Sequence, residues 1–486
     1  MGTTWTGQQT EIFNFFTTGR GNLVVRARAG TGKTTTILEA SGHAPESKIL
    51  FAAFGKAIAE ELKGRIKKGQ AQTLHSLGFA CVRYNWRRIK LDNKRGISLA
   101  ERVTDKHPVS AIVAKLASYA KGTLARDVPA VMDLAFRFDC LPDDDSEEAG
   151  WTVEKVAQAT LDAMNLACEY DGTIDYDDMC FLPVAMGWRP LQFDLVIVDE
   201  AQDMNPVQLE LAKKSCSSRG RIVVVGDDRQ AIYAFRGADS EAIDRLKREL
   251  NAEELGLNVT FRCGKAIVDV AQRLVPDFEA GVNNPDGIVR SIVTDTHKGM
   301  LTEQAQPGDF VLSRKNAPLA RICLALLRNG TKATIKGRDI GAGLVRLIER
   351  LSKPRSVKSL SDLLVALNAY EQRETDKAIK ADRPERADFI ADQVETIHAL
   401  SEGVATISEL ISRFETLFTD NGDDSLKVVC SSIHRAKGLE ADRVFVAYDT
   451  LYPGGRDGIE EQNLEYVAVT RAKRELVWFD SKTQVK

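Results

Sequence analysis

Short apolar runs recur along the first half of the chain and predict the strands of a buried sheet. The first run, Leu23 to Val25, is followed by a turn of small residues and by a predicted helix from Thr34 to Ala40. Further apolar runs extend over residues 48–53, 193–198 and 221–225. Strands that are apolar on both faces are typical of parallel sheets, so this half of the chain predicts an α/β fold.

A second set of strands is predicted from about Gly256 onwards. It starts with residues 257–262 and continues with 309–316, 427–434, 444–446 and 476–479. Helical patterns separate the members of each set, and they indicate one mainly helical insertion in each domain. The predicted organisation is a first sheet domain over 1–97 and 191–255 with its insertion over 98–190, and a second over 256–339 and 426–486 with a short insertion over 340–425.

The residues after the first strand carry the strongest chemical signal. They fit the phosphate-loop pattern G-x-x-x-x-G-K-[ST], except that Ala27 occupies the first glycine position. Gly30 and Gly32 would let backbone N–H groups surround phosphate oxygens at the start of a helix, where the helix dipole favours an anion. Lys33 would reach the outer phosphates, and the Thr34 hydroxyl would hold Mg²⁺. A glycine-rich turn without a ligand is the alternative.

Acidic and amide side chains follow two of the later strands. Asp199 and Glu200 come directly after the apolar run over 193–198, and Gln230 follows the run over 221–225. The carboxyl ends of parallel strands share the edge at which such sheets bind ligands. We therefore expect Asp199 to hold Mg²⁺, Glu200 to polarise an attacking water and Gln230 to sense the terminal phosphate.

The composition describes an ordinary globular protein of 486 residues, with 43% hydrophobic and 28% charged residues and a net charge of −3. This net charge argues against a wholesale basic coat for nucleic acid, although it leaves room for a local basic groove. The eight cysteines are scattered singly without a C-x-x-C pair, so we expect neither zinc nor a disulfide framework. We see no targeting signal or membrane-spanning run and expect no membrane partner.

A basic segment between Leu62 and Arg95 holds ten basic residues and one acidic residue. Tyr84 and Trp86 lie among them. A charged run is often only a solvated face, but interleaved aromatic residues favour a surface along which a nucleic-acid strand stacks its bases and pairs its phosphates. The segment is therefore a candidate strand-binding surface.

Four later stretches resemble motifs of the UvrD/Rep/PcrA-type helicases of superfamily 1A. They are Val198-Asp199-Glu200-Ala201-Gln202-Asp203, Gly226 to Gly237, Ile433-His434-Arg435-Ala436-Lys437-Gly438-Leu439-Glu440 and Tyr466-Val467-Ala468-Val469-Thr470-Arg471-Ala472-Lys473. They occur in the family's order, and the resemblance extends from Trp5 to Phe479. It implies two RecA-like P-loop motor domains with ATP in the cleft between them and single-stranded DNA across their tops.

The resemblance also implies the residues of each site. Arg262 and Arg471 would reach the γ-phosphate from the second motor domain, where guanidinium groups stabilise the transferred phosphoryl. Phe261 would stack on adenine, and Glu440 would contact the ribose. The implied nucleotide-binding residues are Gln9, Ala29, Gly30, Thr31, Gly32, Lys33, Thr34, Thr35, Phe261, Arg262, Glu440 and Arg471; the catalytic ones are Lys33, Asp199, Glu200, Gln230, Arg262 and Arg471; and the DNA-binding ones are Phe54, Lys56, Thr73, His75, Tyr233, Phe235, Arg236 and His434.

Several positions depart from the family pattern. Arg28 stands where relatives usually have glycine, and its guanidinium would either aid phosphate binding or point to solvent. Phe54-Gly55-Lys56 is similar to the Phe-Asn-Lys of the F-box DNA helicase branch, but Gly55 removes the side-chain amide of one implied DNA contact. Arg229 stands where acidic or other polar residues are frequent. The region before Lys427 is short for the large accessory domain of UvrD.

The leading prediction is an ATP-dependent DNA helicase or translocase that uses ATP and Mg²⁺. Movement 3′→5′ is expected because the His-x-Ala-Lys-Gly-Leu-Glu motif is similar to that branch of the family. The alternatives are a DNA-stimulated ATPase that displaces proteins from DNA with little unwinding, and a non-motor phosphate-loop regulator or scaffold. Expected partners are single-stranded DNA, single/double-strand junctions and proteins of replication, recombination or repair. The expected location is the cytoplasm of a bacterial or phage-infected cell, with the nucleus as the alternative.

Overall fold

The chain forms two compact units, Met1–Asn258 and Val259–Lys486, each with its own six-stranded sheet. This computed structural model describes residues 5–53, 55–138, 140–142, 146, 148–232, 242–292, 300–354, 356–380, 384–420, 422–452 and 458–482. Every strand pair described within the two sheets is parallel. The predicted α/β class with parallel sheets is thereby confirmed in both units.

The elements of the first unit alternate between strands and helices. Its strands are β1 Leu23–Ala27, β2 Ile49–Ala53, β3 Gln70–Thr73, β4 Lys90–Leu91, β5 Thr173–Ile174, β6 Phe193–Val198, β7 Cys216–Gly226 and β8 Glu253–Leu257. Its helices are Gly7–Thr18, Lys33–His43, Lys56–Arg65, Leu74–Asn85, Arg95–Val103, Ser110–Thr123, Val128–Arg137, Val153–Ala167, Tyr176–Ala185, Pro206–Lys214 and Ala242–Glu249. Short 3₁₀ turns at Ala201–Asp203 and Asp228–Gln230 follow β6 and β7.

The first sheet has the strand order β3-β2-β6-β7-β1-β8. Alternate residues of β2 face different hydrophobic clusters, since Leu50 and Ala52 belong to one and Ile49 and Phe51 to the other. This two-sided burial explains why the predicted strands are continuously apolar. Because β1, β6 and β7 are adjacent and parallel, their carboxyl ends meet at one edge of the sheet.

The helices between β4 and β6 bury a small group of charged residues. The Arg95 guanidinium lies 2.6 Å from Asp178, and the Lys121 ammonium lies 2.8 Å from the same carboxylate. All three side chains are buried. Arg95 is therefore a structural residue, and its inclusion in the candidate strand-binding surface is wrong. Tyr84, by contrast, is 85% exposed.

The second unit contains the remaining elements. Its strands are β9 Val259–Thr260, β10 Glu279–Ala280, β11 Ile288–Ser291, β12 Phe310–Ser313, β13 Ala333–Ile335, β14 Val428–Ser432, β15 Ala441–Ala447 and β16 Ala472–Phe479. Its helices are Lys265–Ala271, Leu301–Gln304, Asn316–Arg328, Arg338–Ser352, Leu360–Lys380, Pro384–Ser401, Ile407–Leu417, Ile433–Ala436 and Ile459–Val469. The sheet has the order β11-β16-β15-β12-β14-β13.

The prediction that the second sheet starts near Gly256 is wrong. Residues Glu253–Leu257 form β8, which pairs in parallel with β1 and completes the first sheet. Val259 and Thr260 form a separate two-stranded pair with β10. The sequence misleads here because Leu257 to Thr260 alternates like one strand, although its two halves belong to different sheets.

The helices between β13 and β14 pack onto the second sheet. Leu344, Leu363 and Leu410 share one hydrophobic cluster with Val311 and Phe445 of the sheet. The predicted insertion over 340–425 therefore has a core in common with its sheet, while the exact domain boundaries stay a prediction. No helix in the described part of the chain has both the length and the hydrophobicity needed to cross a lipid bilayer.

Candidate functional site

The phosphate loop connects β1 to the helix Lys33–His43. Gly30 and Gly32 have φ angles of 70° and 75°, in the left-handed region that residues with a Cβ rarely adopt. The buried Thr31 hydroxyl donates to the Arg28 carbonyl oxygen at 2.9 Å and closes the loop. The two glycines and this hydrogen bond thus fix the loop conformation. The helix that follows begins at the end of the sheet, where its free N–H groups can bind an anion.

Thr34 and Asp199 lie together at the end of β6. The Thr34 hydroxyl donates to Asp199 Oδ2 at 3.3 Å, and the Asp199 side chain is buried. Burial, together with the adjacent Glu200, raises the pKa of Asp199 to about 6. A hydroxyl and a carboxylate are oxygen ligands of the kind that Mg²⁺ prefers, and a divalent cation would favour the charged form of this aspartate. These two residues therefore fit the predicted Mg²⁺ site.

Lys33 and Glu200 form an ion pair at the same edge. Lys33 Nζ lies 2.9 Å from Glu200 Oε1. Burial alone would lower the pKa of Lys33, but the neighbouring carboxylates, first among them Glu200, outweigh burial and raise it. Lys33 is therefore charged, and its present partner is the residue predicted to polarise water.

Gln202 connects the end of β6 to the end of β7. Its Nε2 donates to Glu200 Oε2 at 2.5 Å, and its Oε1 accepts from the Asp227 N–H at 3.1 Å. Asp227 Oδ2 in turn accepts from Gln230 Nε2 at 2.7 Å. A Cβ at Gly226 would lie 2.5 Å from Gln202 Oε1, so glycine permits this close approach. The predicted phosphate sensor is thus joined by hydrogen bonds to the acidic pair.

Arg28 extends this network instead of pointing to solvent. It is buried, and its Nη1 lies 3.1 Å from Asp227 Oδ1 and 2.8 Å from Asp228 Oδ1. Its backbone N–H donates to the Leu257 carbonyl oxygen at 2.8 Å. Of its two expected roles, exposure to solvent is therefore wrong. The arginine connects the phosphate loop to the turn after β7 and to the last residue of β8.

Arg26, two residues earlier on β1, pairs with three acidic side chains. Its guanidinium lies 3.0 Å from Asp228, 2.5 Å from Asp244 and 2.9 Å from Glu254. Asp228 therefore pairs with both arginines. Burial alone would raise the pKa of Asp228, but Arg28 and Arg26 lower it. The turn after β7 is therefore held by two arginines, Arg26 of β1 and Arg28 of the phosphate loop.

Gln9 lies beside the phosphate loop on the helix Gly7–Thr18. Its Nε2 donates to Thr36 Oγ1 at 2.9 Å, and its Oε1 accepts from the Thr6 N–H at 3.0 Å in a capping box. A Cβ at Gly32 would lie 3.9 Å from Gln9 Nε2. The amide is oriented next to the loop, and its contact with adenine stays a prediction.

In the second unit, Arg471 lies at the junction of the helix Ile459–Val469 and β16. Its side chain is buried, and it donates to the carbonyl oxygens of Val467 and Leu439, each at 3.0 Å. Burial, together with the nearby Arg262, lowers the pKa of Arg471 to about 10. The guanidinium is thus held largely by backbone oxygens.

Arg262 is held by a carboxylate. Its Nε lies 2.6 Å from Glu440 Oε2, and Lys473 Nζ lies 2.7 Å from Glu440 Oε1. Burial alone would raise the pKa of Glu440, but Lys473 and Arg262 lower it. The residue predicted to contact ribose therefore already binds two cations through its two oxygens.

The turn before Arg262 presents Phe261 at the surface. Phe261 is 52% exposed, which leaves a ring face for stacking. Asn284 stabilises this turn, because its Nδ2 donates to the carbonyl oxygens of Thr260 and Cys263, each at 2.8 Å. The adenine contact of Phe261 stays a prediction.

The predicted DNA-binding residues divide into those that the structure describes and those that it does not. Thr73 caps the helix Leu74–Asn85 by accepting from the Ser76 N–H at 3.1 Å. The His75 ring lies 6.0 Å from the Tyr176 ring, and burial lowers the pKa of this histidine. Lys56 begins the helix Lys56–Arg65, and His434 lies in the helix Ile433–Ala436. Phe54, Tyr233, Phe235 and Arg236 lie outside the described residues.

The structure gathers the predicted catalytic residues into one group in each unit. The residues that sequence reasoning missed are Arg26, Gln202, Asp227, Asp228, Asn284 and Lys473. Gln202, Asp227, Asp228 and Lys473 lie inside the family motifs given above, so their nearness in sequence to the catalytic residues was the available signal. Asn284 lies outside the quoted motifs.

Both units build a parallel sheet, and in the first a buried strand leads through a phosphate loop into a helix, which is the fold and site of a phosphate-loop nucleoside triphosphatase. The family profile of the UvrD/REP helicase N-terminal domain matches residues 5–251, and that of the UvrD-like helicase C-terminal domain matches residues 331–482. The chain belongs to the UvrD/REP helicase family, as the resemblance of its motifs predicted.

Similar proteins include helicases from eukaryotes and bacteria. F-box DNA helicase protein 1 of Schizosaccharomyces pombe is 23% identical over 95% of this chain, and F-box DNA helicase 1 of Gallus gallus is 26% identical over 95%. The chain spans 56% and 48% of the lengths of these two relatives. ATP-dependent DNA helicase UvrD2 of Mycobacterium tuberculosis is 26% identical over 93% of this chain and 76% of its own length.

Proposed function

We propose that this chain is an ATP-dependent DNA helicase or translocase that moves 3′→5′ on single-stranded DNA. The observation that supports it most strongly is the group formed by Lys33, Glu200, Thr34 and Asp199 at one sheet edge. Membership of the UvrD/REP helicase family supports DNA as the track. The direction rests on the similarity of the motif from Ile433 to Glu440 to the 3′→5′ branch.

In the first unit, each residue would act on a different part of ATP. Lys33 would bind the outer phosphates, and the loop N–H groups would surround them. Thr34 and Asp199 would hold Mg²⁺, which when bound neutralises charge on the phosphates. Gln230 would sense the terminal phosphate from the turn after β7.

The ion pair of Lys33 and Glu200 suggests how binding prepares hydrolysis. Phosphate oxygens would compete with Glu200 for the Lys33 ammonium, because both ligands are anions and the site is buried. Glu200 would then accept a hydrogen bond from the attacking water while Gln202 keeps its other oxygen in place. That water would attack the γ-phosphorus and pass a proton to Glu200 while the bond between the γ-phosphorus and the β–γ bridging oxygen breaks, so that ADP and inorganic phosphate leave.

The second unit would supply the arginines. Arg262 and Arg471 would contact the γ-phosphate only when the two motor domains close on ATP, so the closed state is selected by ATP and released after hydrolysis. Glu440 would have to share Arg262 with the nucleotide at that moment, because it holds this arginine at 2.6 Å. Such a two-state cycle is what stepwise movement along DNA requires.

An ATPase assay with single-stranded DNA, duplex DNA or RNA as stimulator tests the proposed function. We expect strong stimulation by single-stranded DNA and unwinding of duplexes that carry a 3′ tail. Unwinding only from a 5′ tail would refute the direction, and hydrolysis that no nucleic acid stimulates would refute the motor function.

A DNA-stimulated ATPase that displaces proteins from DNA with little unwinding is the second candidate. It is supported by the short region between β13 and β14, whose helices pack on the second sheet in a shared core. Streptavidin displacement from biotinylated DNA, measured beside strand separation, distinguishes the two. Displacement without strand separation would favour this candidate. Proteins of replication, recombination or repair and strand junctions are proposed partners of either activity.

A further inference from the structure

Asp227 is a buried carboxylate with a full set of partners. Its Oδ2 accepts from Gln230 Nε2, and its Oδ1 faces the Arg28 guanidinium at 3.1 Å. The Arg229 N–H also donates to Oδ1, at 3.2 Å. Burial raises the pKa of Asp227, and the charge of Arg28 is the first of the influences that oppose it. A charged Asp227 can hold the Gln230 amide in one orientation, because a carboxylate accepts from the NH₂ group and not from the amide oxygen.

Arg28 is suited to keep that carboxylate in place. It emerges from the phosphate loop, and its backbone is itself tied to Leu257 at 2.8 Å. Its side chain is 7% exposed, so the interaction with Asp227 is only weakly screened by solvent. The Nη1 atom of Arg28 also lies 2.8 Å from Asp228 Oδ1, and Arg26 pairs with that oxygen at 3.0 Å, so a second arginine fixes the carboxylate next to Arg28.

We propose that Arg28 is a positioning residue for hydrolysis, which acts through Asp227 to orient Gln230 towards the terminal phosphate. This rests on the proposed function of Gln230 and adds a residue to it. Arg28 belongs to the phosphate loop, and Asp227 and Gln230 belong to the turn after β7. The contacts between them therefore tie the position of the turn to that of the loop. Arg28 contributes to turnover and not to nucleotide affinity.

A double-mutant cycle on the full chain tests this inference. Steady-state ATPase rates, with and without single-stranded DNA, are measured for Arg28→Gln, Gln230→Ala and the double variant. Arg28→Gln is expected to lower kcat about tenfold and to leave the KM for ATP unchanged. In the Gln230→Ala background the same substitution should change kcat by less than about twofold, since its effect passes through Gln230. Arg28→Lys, which keeps the charge, should restore part of the lost rate.

Two results would overturn the inference. One is an equal loss of kcat from Arg28→Gln in both backgrounds, which would make the arginine act independently of Gln230. The other is a raised KM with unchanged kcat, which would make it a nucleotide ligand. If Arg28→Gln does not fold, the cycle is run with Arg28→Lys, for which the same two criteria hold. Absence of DNA stimulation in the wild type would refute the motor function separately, because the cycle is also measured on the basal rate.

Arg221→Gln is the matched control. Arg221 is a buried arginine of the same unit, with a side chain 4% exposed and its Nε 2.7 Å from Glu46 Oε1. It lies on β7, outside the contacts described for Arg28, Asp227 and Gln230. Its substitution should lower the melting temperature and leave kcat unchanged. A tenfold fall of kcat in this control would attribute the effect to loss of any buried arginine and would also overturn the inference.

Discussion

The two groups of residues proposed to bind ATP, one in each unit, carry opposite net charge. In the first, the cation Lys33 faces Glu200, with Asp199 and Asp227 close by. In the second, Arg262 and Lys473 pair with the Glu440 carboxylate, and the charge of Arg471 also lowers the pKa of Glu440. The carboxylate-rich group of the first unit can bind a metal ion that accompanies the nucleotide. The cation-rich group of the second unit can stabilise the negative charge that develops on the phosphoryl group during transfer.

The units also differ in how each cation is held. Lys33 and Arg262 are held by carboxylates, which an incoming phosphate can replace, while Arg471 is held by backbone carbonyl oxygens of its own unit. An ion pair leaves a cation free to exchange partners without disturbing the chain. A buried arginine bound to backbone carbonyls also supports the fold of its unit. We therefore expect substitution of Arg471, but not of Arg262, to destabilise the fold.

The largest effect is expected from Lys33→Ala. It removes the cation of the carboxylate-rich group, so the outer phosphates would meet Glu200 and Asp199 without their counter-charge, and nearly all ATPase activity should disappear. Lys213→Ala is the control, because Lys213 pairs with Glu210 and Glu249 in the same unit at 2.7 Å and 3.1 Å. A Lys33→Ala protein with more than half of the wild-type rate would show that Lys33 is not the cation that the phosphates need.

The next effect compares the two arginines of the second unit. Both Arg471→Ala and Arg262→Ala should leave ATP binding largely intact and slow turnover by on the order of 10³ or more. Arg471→Ala should also lower the melting temperature, because it removes two hydrogen bonds from a charged donor, each worth about 1.5–3 kcal/mol, at roughly 2–4 °C per kcal/mol in a unit of this size. Nucleotide binding, single-turnover hydrolysis and thermal unfolding measure the three quantities.

Two results would contradict the contrast between Arg471 and Arg262. An unchanged kcat in Arg471→Ala would refute the proposed two-domain site. An equal fall of melting temperature in both variants would show that Arg262 also supports the fold, and the distinction between exchangeable and core-bound cations would be lost.

Glu440→Gln is expected to have a moderate effect. The substitution removes the charge that pairs with Arg262 and Lys473, and if Glu440 contacts the ribose the KM for ATP should rise about tenfold, as for loss of one hydrogen bond to a charged group. With 2′,3′-dideoxy-ATP the same substitution should leave KM unchanged. Equal rises with both nucleotides would assign Glu440 to holding Arg262 and not to the ribose.

Most of the site could be read from sequence because its residues follow buried strands. Asp199 comes directly after β6, and Lys33 comes after β1 and a turn that needs glycine at Gly32. Local rules of parallel sheets place such residues at one edge. The α/β class and the family were predicted for the same reason, since they depend on the order of local motifs.

The partners of these residues could not be read in the same way. Arg28 meets Asp227, and Arg95 meets Asp178, across long stretches of chain, and a basic residue in a basic run gives no sign that it is buried. The start of the second sheet was wrongly predicted near Gly256, because apolar alternation does not say which sheet a strand joins. Such pairings are decided by packing between distant segments.

The smallest effect is expected from a substitution at Gly55 that should alter DNA binding. It tests whether the contrast between the units affects only nucleotide chemistry. Gly55 precedes the helix Lys56–Arg65 with an extended backbone, φ −130° and ψ 159°, and a Cβ there would meet nothing within 4 Å. Asparagine is therefore accommodated at this N-cap position, where it changes stability by only a few tenths of a kcal/mol relative to glycine. Gly55→Asn should restore one side-chain contact to DNA and lower the DNA concentration for half-maximal stimulation about threefold, with kcat unchanged.

Gly64→Asn is the matched control for that substitution, because Gly64 lies in the same helix and a Cβ there also meets nothing within 4 Å. Titration of ATPase rate against single-stranded DNA should separate the two variants. An equal change in both would trace the effect to the helix and not to the Gly55 position. A changed kcat in Gly55→Asn would mean that DNA contact at this helix alters phosphate chemistry, because the helix also meets the phosphate-loop helix, where Arg65 donates to Thr35 at 3.1 Å. The opposite charges of the two units would then be only part of the coupling between ATP and DNA.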